Sequence, residues 1–327
     1  MNAPSPATSP ARAQRPAVGI DLGGTQVRAA LVGVDGTLLA RAARATDVAG
    51  GPRAVLGQMQ ALVAEVTAGL GGPLGDAITG VGVCSPGPLD AATGVVLGIS
   101  TLPGWVDIPL AAWLTEALQL PVVLENDAVS AAIGEWRFGA GRGLRDFVYV
   151  TVSTGIGGGV IADGRVLRGR RSMAAHIGHM TTAPQGEVCT CGNRGCWEAQ
   201  ASGTALGTLA RRHAARTSRS ALAGLGHALE SRQVFEAARS GDALALELVA
   251  REAAELGLGL VNLLHLYSPE RIVLGGGVSS GFDLLHPGIE RHIRSWALPP
   301  FRDVPVVAAA LGQNSGLIGA ACLVLHG

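Results

Sequence analysis

His179-x9-Cys189-x-Cys191-x4-Cys196 gathers one imidazole and three thiols within eighteen residues. Three sulfurs and one nitrogen complete the tetrahedral set that Zn2+ takes, and a closed set leaves no position for water, so such a zinc is structural rather than catalytic. Gly192 and Gly195 stand among the ligands and allow a tight backbone path around a centre. The same residues could instead form a disulfide with a spare thiol. The chain has five cysteines, an odd number, and residues 1–16 carry no apolar signal-peptide core. Both points favour a reducing cytoplasm, and hence the metal. Cys84 and Cys322 stand alone in apolar stretches and read as buried small hydrophobes.

Three glycine clusters follow short apolar strands. Asp21-x-Gly23-Gly24-Thr25 could present backbone N–H groups and a hydroxyl to a polyphosphate, with Asp21 holding Mg2+ through water. An ordinary hairpin turn would use the same residues. Ser153-Thr154-Gly155-Ile156-Gly157-Gly158-Gly159 is harder to explain as a turn, because each glycine weakens a strand, so backbone contact with a ligand is favoured. A dinucleotide fold would need a helix directly after it, and a β-branched strand follows instead. Gly275-Gly276-Gly277 suits an adenosine or a simple helix-entry loop. Glu125-Asn126-Asp127 closes a strand and opens a helix. There Asp127 can take a hydroxyl proton while Asn126 bonds another hydroxyl, or Asp127 can merely cap the helix.

The elements that must position these groups are legible in the patterning. Apolar residues make up 48% of the 327 and charged residues 15%, which describes a well-cored chain of about two domains. Basic and acidic residues balance at 25 each, against a dedicated nucleic-acid binder, and no apolar run is long enough to span a membrane. The chain has no lysine. This excludes a Walker-A loop, a protein-kinase site and Schiff-base chemistry, and leaves phosphate to N–H groups, hydroxyls, arginine and a metal ion. Strands are expected at 17–22, 25–34, 37–44, 78–83 and 122–124, with helices at 51–69, 110–118 and 128–136 and a long loop over 84–108. The pattern restarts at 146–153, with a glycine turn at 154–159 and strands at 160–162 and 165–167. Helices follow at 201–214, 231–239, 242–266, 282–296 and 313–325, with strands at 271–274 and 304–309. Two related α/β halves are thus expected, each opening on a meander that carries a glycine loop.

In combination these motifs resemble the sugar kinases of the ROK family (repressor, open reading frame, kinase), within the actin/hexokinase-like ATPase superfamily. The likeness covers about residues 17–326. It rests on Asp21–Thr25, Glu125–Asp127, Thr154–Gly159, Gly178-His179 with Cys-x-Cys-Gly-x-x-Gly-Cys-x-Glu, and Gly275–Gly277. It implies an α/β fold of two actin/hexokinase-like (ribonuclease H-like) domains with a cleft between them. A tail would cover 1–16, a small domain 17–126 plus 312–327, and a large domain with the zinc loop 127–311. It implies ATP with Mg2+, held by Asp21, Gly23, Gly24, Thr25, Thr154, Gly155, Gly157, Gly158, Gly275, Gly276 and Gly277. It further implies Asp127 as catalytic base, and Asn126, His179 and Glu198 as sugar contacts beside a structural Zn2+ on His179, Cys189, Cys191 and Cys196. A cytoplasmic homodimer that binds no nucleic acid is the corresponding expectation.

Two positions depart from the family's glucokinases. His176 stands where many have Glu, as in N-acetylmannosamine kinases, and Thr101 stands where Asn is common. A neutral imidazole can donate a hydrogen bond where a carboxylate only accepts, and a donor at this point suits an acetamido carbonyl. N-acetylmannosamine is therefore the favoured acceptor. Gly134-Glu135-Trp136 and Gly139–Gly143 lean toward glucokinase instead. A sugar-responsive repressor of the same family would need a DNA-binding domain before residue 17, and a zinc hydrolase would need an open metal position.

Overall fold

The computed structural model describes residues 15–99 and 101–325. Of the tail expected over 1–16, positions 1–14 lie outside the described residues. Arg15 and Pro16 are tied to the fold: the Thr79 hydroxyl donates to Arg15 O (3.0 Å), and the Thr79 amide donates to Pro16 O (2.9 Å).

The chain divides into two compact units, one of Met1–Arg142, Arg168–Ala174 and Asn314–Gly327, the other of Gly143–Leu167 and Ala175–Gln313. The first unit holds strands β1 (Ala17–Leu22), β2 (Gln26–Val32), β3 (Leu38–Ala45), β4 (Val81–Ser85), the short pair β5 (Leu89–Asp90) and β6 (Val95–Val96), and β7 (Val122–Asn126). Its helices are α1 (Gly51–Thr67), α2 (Leu74–Ala77), α3 (Leu110–Leu118) and α4 (Asp127–Phe138). The second unit holds β8 (Phe147–Val152), β9 (Ile156–Ala162), β10 (Arg165–Val166), α5 (Trp197–Ala201), α6 (Gly203–Ala214), α7 (Ser231–Arg239), α8 (Ala243–Tyr267), β11 (Arg271–Gly275), α9 (Phe282–Trp296) and β12 (Val306–Ala308). Helix α10 (Ser315–Leu325) returns to the first unit.

Each unit is built on one five-stranded sheet, ordered β3-β2-β1-β4-β7 in the first and β10-β9-β8-β11-β12 in the second. In both, the opening meander is antiparallel and the last two strands join in parallel. The two halves therefore share one topology, that of the ribonuclease H-like fold, and each has its own apolar core. The periodic stretches form as their spacing dictates. In α1, Val55, Leu56, Met59, Leu62, Val63 and Val66 recur at helical intervals and are buried, with Pro52 in the first turn.

Three expectations shift. The first unit runs on through α4, past the boundary expected after Asn126, because α4 packs on α10. A Cβ at Gly319 would lie 1.7 Å from Ser130 O and one at Gly134 2.4 Å from Ser315 O, so both glycines exist to let the helices touch. The stretch 84–108 contains the small β5–β6 hairpin instead of loop alone. The glycine turn expected over 154–159 is mostly strand: Gly157, Gly158 and Gly159 pair in register with Thr151, Val150 and Tyr149.

Candidate active site

In the first unit the carboxyl ends of the parallel strands carry the polar groups. Asp21 on β1 lies in register with Cys84 on β4, and Cys84 with Glu125 on β7. Asp21 Oδ2 accepts from Arg28 Nε (3.1 Å) and is ion-paired to the same guanidinium across the β1–β2 ladder. Its Oδ1 accepts from the Cys84 thiol (3.5 Å), which also reaches Gly316 O (3.5 Å). Cys84 is buried as expected, but among carboxylates rather than in an apolar pocket. Burial, then the negative charges of Asp21 and Asp127, hold its thiol well above the usual range. A carboxylate oxygen accepts more than one bond, so Oδ1 leaves a water-borne Mg2+ a place beside Asp21, in competition with Arg28.

Asn126, not Asp127, caps α4. Its Oδ1 accepts from Ala128 N (3.0 Å) and Val129 N (3.2 Å), which uses the amide oxygen, and its side chain also bonds the Asp127 carboxyl. Asp127 is the first helical residue, and its Oδ1 accepts from Ala128 N (2.8 Å). Burial, reinforced by Asp21, raises its carboxyl to about 6 against the downward pull of that N–H. Glu125 is buried, at 1% exposure. Its Oε1 accepts from the Asn126 amide (2.9 Å) and its Oε2 pairs with Arg168 Nη2 (3.4 Å). Burial raises the Glu125 carboxyl, while the Asn126 N–H and Arg168 draw it down.

The first glycine turn spends part of its capacity on itself. Gly23 N donates to Gln26 O (3.0 Å) and Gly23 O accepts from the Thr46 hydroxyl (2.7 Å), so a phosphate contact rests on Gly24 and Thr25. A Cβ at Gly24 would lie 2.9 Å from Thr101 Oγ1, which places Thr101 against this turn. Glu135, in the stretch that leaned toward glucokinase, is fully buried. It accepts from the Ser315 hydroxyl (2.8 Å) and Ala140 N (2.8 Å). That stretch ties α4 to α10.

In the second unit, His179, Cys189, Cys191 and Cys196 bring one ligand atom each within 4.8 Å of one another. Cys191 Sγ and Cys196 Sγ are 3.7 Å apart, and His179 Nδ1 is 3.8 Å from Cys189 Sγ. A tetrahedral Zn2+ with bonds of about 2.3 Å to sulfur needs sulfurs about 3.8 Å apart, whereas a disulfide would bring them to about 2 Å. The donor set therefore fits zinc. Gly192 (φ 88°) and Gly195 (φ 78°) turn the loop in the left-handed region, and a Cβ at Gly195 would meet Ala183 O at 1.8 Å. The loop is anchored by the next residue: Trp197 is fully buried, donates to Glu255 O (2.9 Å) and packs where Gly259 of α8 has no side chain.

Glu198 connects this loop to the second glycine cluster. Its Oε2 accepts from Ile156 N (2.9 Å) and its Oε1 lies 3.7 Å from Cys189 Sγ. A Cβ at Gly155 would meet Glu198 Oε2 at 2.3 Å, and one at Gly158 would meet Ile177 Cδ1 at 2.3 Å. These glycines admit the turn Ile177–His179 and Glu198. Packing by itself thus requires glycine at both positions, whatever their backbone N–H groups meet. Likewise Gly275 makes room for the Tyr149 hydroxyl, and Gly276 (φ 84°) passes close over Val152 O. His176 is exposed, its ring 6.4 Å from that of His179.

Thr154 and Gly277 share an open groove with Ser153, Thr204, Arg211, Glu230 and Ser231. The amino end of α6 opens into it, with Ser202 as N-cap and Gly203 N donating to Ser153 O (2.7 Å). A helix amino end suits an anion, although Gly203 N and Ala205 N of this one are already taken up by Ser153 O and Ser202 Oγ. Thr204, Arg211 and Ser231 were not singled out in the sequence. No glycine cluster or charge run marks them, and only the fold brings them to Thr154.

The whole chain was compared with known proteins. Residues 17–326 match the ROK family. A glucokinase of Thermotoga maritima is 35% identical over 311 residues, covering 94% of this chain and 96% of that one. An N-acetylmannosamine kinase of Yersinia pseudotuberculosis is 35% identical over 303 residues, covering 92% and 96%. A ROK family glucokinase from Streptomyces griseus, solved in complex with glucose and AMPPNP, superposes with a TM-score of 0.83 at 35% identity, covering 95% of this chain and all of that one (100%). The sheet order, the Cys3His cluster and these matches agree: this chain belongs to the ROK family.

Proposed function

We propose that the chain is an ATP-dependent kinase that phosphorylates the 6-hydroxyl of a hexose or N-acetylhexosamine. The observation that carries this reading is the division of labour at the start of α4. Asn126 caps the helix, which frees Asp127 from that task, and burial brings the Asp127 carboxyl to about 6. Such a base is ionised at neutral pH yet still able to accept a proton. As the sugar oxygen forms its bond to the γ-phosphorus, its proton passes to Asp127. The bond from that phosphorus to the bridging oxygen breaks, and ADP leaves with the electron pair. Phosphoryl transfer asks the protein for position and charge stabilisation more than for covalent chemistry.

The NH2 of Asn126 donates to a second hydroxyl. A zinc on His179 Nδ1 and the three thiolates would fix that ring and leave its Nε2–H to donate to the sugar beside Glu198. In the second unit the groove of Thr154 and Gly277 would take the nucleotide; in the first, the Gly24–Thr25 turn offers an N–H and a hydroxyl to phosphate. Asp21 would hold Mg2+ through water, where the ion would offset phosphate charge.

N-acetylmannosamine is the favoured acceptor, because an exposed imidazole at His176 can donate to an acetamido carbonyl. Glucose is the second reading, supported by the 35% identity to proteins named glucokinase. A coupled assay of ADP release with glucose, N-acetylmannosamine, N-acetylglucosamine, mannose and fructose separates them. No ADP with any of the five sinks the kinase reading.

A further inference from the structure

Arg168 stands apart from the residues assigned above. It begins Arg168–Ala174, a segment that folds with the first unit although residues of the second unit precede and follow it. The segment closes on itself: Ala174 N donates to Arg168 O (3.0 Å) and Met173 N to Arg170 O (3.2 Å). Its path is unusual for side-chain-bearing residues. Arg171 (φ 57°) and Ser172 (φ 57°) are left-handed, as are Gly169 before them and Ala175 just after. Such positions cost free energy and persist only where the surroundings impose them. The chain then enters His176 directly.

The tie to the rest of the first unit is the Arg168 guanidinium on Glu125 (3.4 Å). Glu125 is 1% exposed and sits one residue before Asn126, whose amide it holds through its other oxygen. A buried carboxylate without a cation is costly. Arg168 is the sole cationic partner of Glu125 among the described contacts.

We propose that Arg168 is a positioning residue for the phosphoryl transfer. By pairing with Glu125 it fixes the Glu125-Asn126 backbone and so the attitude of Asp127. It also ties the segment Arg168–Ala174 to the strand that ends just before Asp127. Arg168 touches no reacting atom. This inference rests on the kinase reading for its kinetic consequence, but not for its structural one.

The test uses the full chain with Arg168→Met, Arg168→Lys, Glu125→Gln and the double Glu125→Gln/Arg168→Met. Sugar phosphorylation is measured at varied ATP and varied sugar, and deuterium uptake is measured over residues 122–133. Arg168→Met is expected to lower kcat about tenfold or more and to raise uptake over 122–133. The KM for ATP should stay within about twofold, since the nucleotide groove belongs to the other unit. Arg168→Lys should restore most of both. The double variant should be no worse than Arg168→Met alone, because the neutral amide removes the stranded charge. This keeps the test alive if Arg168→Met folds poorly. Unchanged uptake in Arg168→Met, or strictly additive losses in the double, overturns the inference. Wild type inactive on every sugar sinks the kinase reading, while the uptake experiment still decides the role of Arg168.

Discussion

Asp127→Asn separates a catalytic base from a helix cap, and it does so through two readouts of opposite sign. The folded carboxyl titrates at about 6 against an ordinary 3.8, so the folded state holds its proton about two units more tightly. At 1.36 kcal/mol per unit, an ionised Asp127 costs the fold at most about 3 kcal/mol. Partial exposure of the residue reduces this to about 1–2 kcal/mol. The sign follows from the raised value. Wild type loses this stability as pH climbs from about 4 to about 6, and the loss is complete above that. Asparagine keeps an oxygen for Ala128 N and carries no charge, so the variant should match wild type near pH 4. At pH 8 it should be more stable by about 1–2 kcal/mol. Its kcat should fall about 10²–10⁴-fold with little change in sugar affinity. Wild-type turnover should decline below about pH 6 as the base takes up its proton. Urea midpoints at the two pH values and steady-state kinetics supply the measurements. Near wild-type kcat, or a variant less stable at pH 8, would falsify the assignment.

Metal analysis of protein purified without chelator should find one zinc per chain, and Cys191→Ser should lose it together with activity. A stoichiometry near zero in wild type removes the metal site. His176→Glu replaces a donor by an acceptor and should shift the ratio of kcat/KM values toward glucose over N-acetylmannosamine by about tenfold. If wild type already prefers glucose and ignores N-acetylmannosamine, the His176 argument fails. Gly155→Ala places a methyl 2.3 Å from Glu198 Oε2. It should raise the sugar KM severalfold and leave zinc content intact, and an unchanged KM would remove Glu198 from the sugar site. Gly319→Ala drives a methyl to 1.7 Å from Ser130 O, a backbone atom that cannot swing aside. Thermal melting should show a loss of more than about 2 kcal/mol, and a wild-type melt would mean that α4 and α10 do not pack as described.

Much of this was legible because local chemistry and global fold agree. The strands at Ala17–Leu22 and Arg271–Gly275, and the helices Ser231–Arg239 and Phe282–Trp296, follow from apolar spacing alone. The Cys3His cluster is local, since eighteen residues carry every ligand. The glycines are legible only in part. A glycine shows only that a side chain is intolerable, not what takes its place. At Gly155, Gly158 and Gly275 the space is filled by Glu198, Ile177 and Tyr149, each distant in sequence. Arg168 is not marked in the sequence, and Cys84 reads there as a small hydrophobe, for the same reason. Their meaning lies in Glu125 and Asp21, which only strand register and a returning segment bring near.

Helix α10 lies on a seam of glycines. A Cβ at Gly19 would strike Leu317 O at 2.1 Å, and one at Gly82 would strike Ala320 O at 1.7 Å. The strand that presents Asp21 and the helix that begins with Asp127 are thus both backed by a segment nearly three hundred residues downstream of β1. During synthesis the first sheet waits for α10 with an apolar face uncovered. Contacts this distant close late and slowly, since the entropy of a long loop must be met before they form. The sheet that carries Asp21 therefore closes only when α10 joins it, and its uncovered face is where a nascent chain would need shelter.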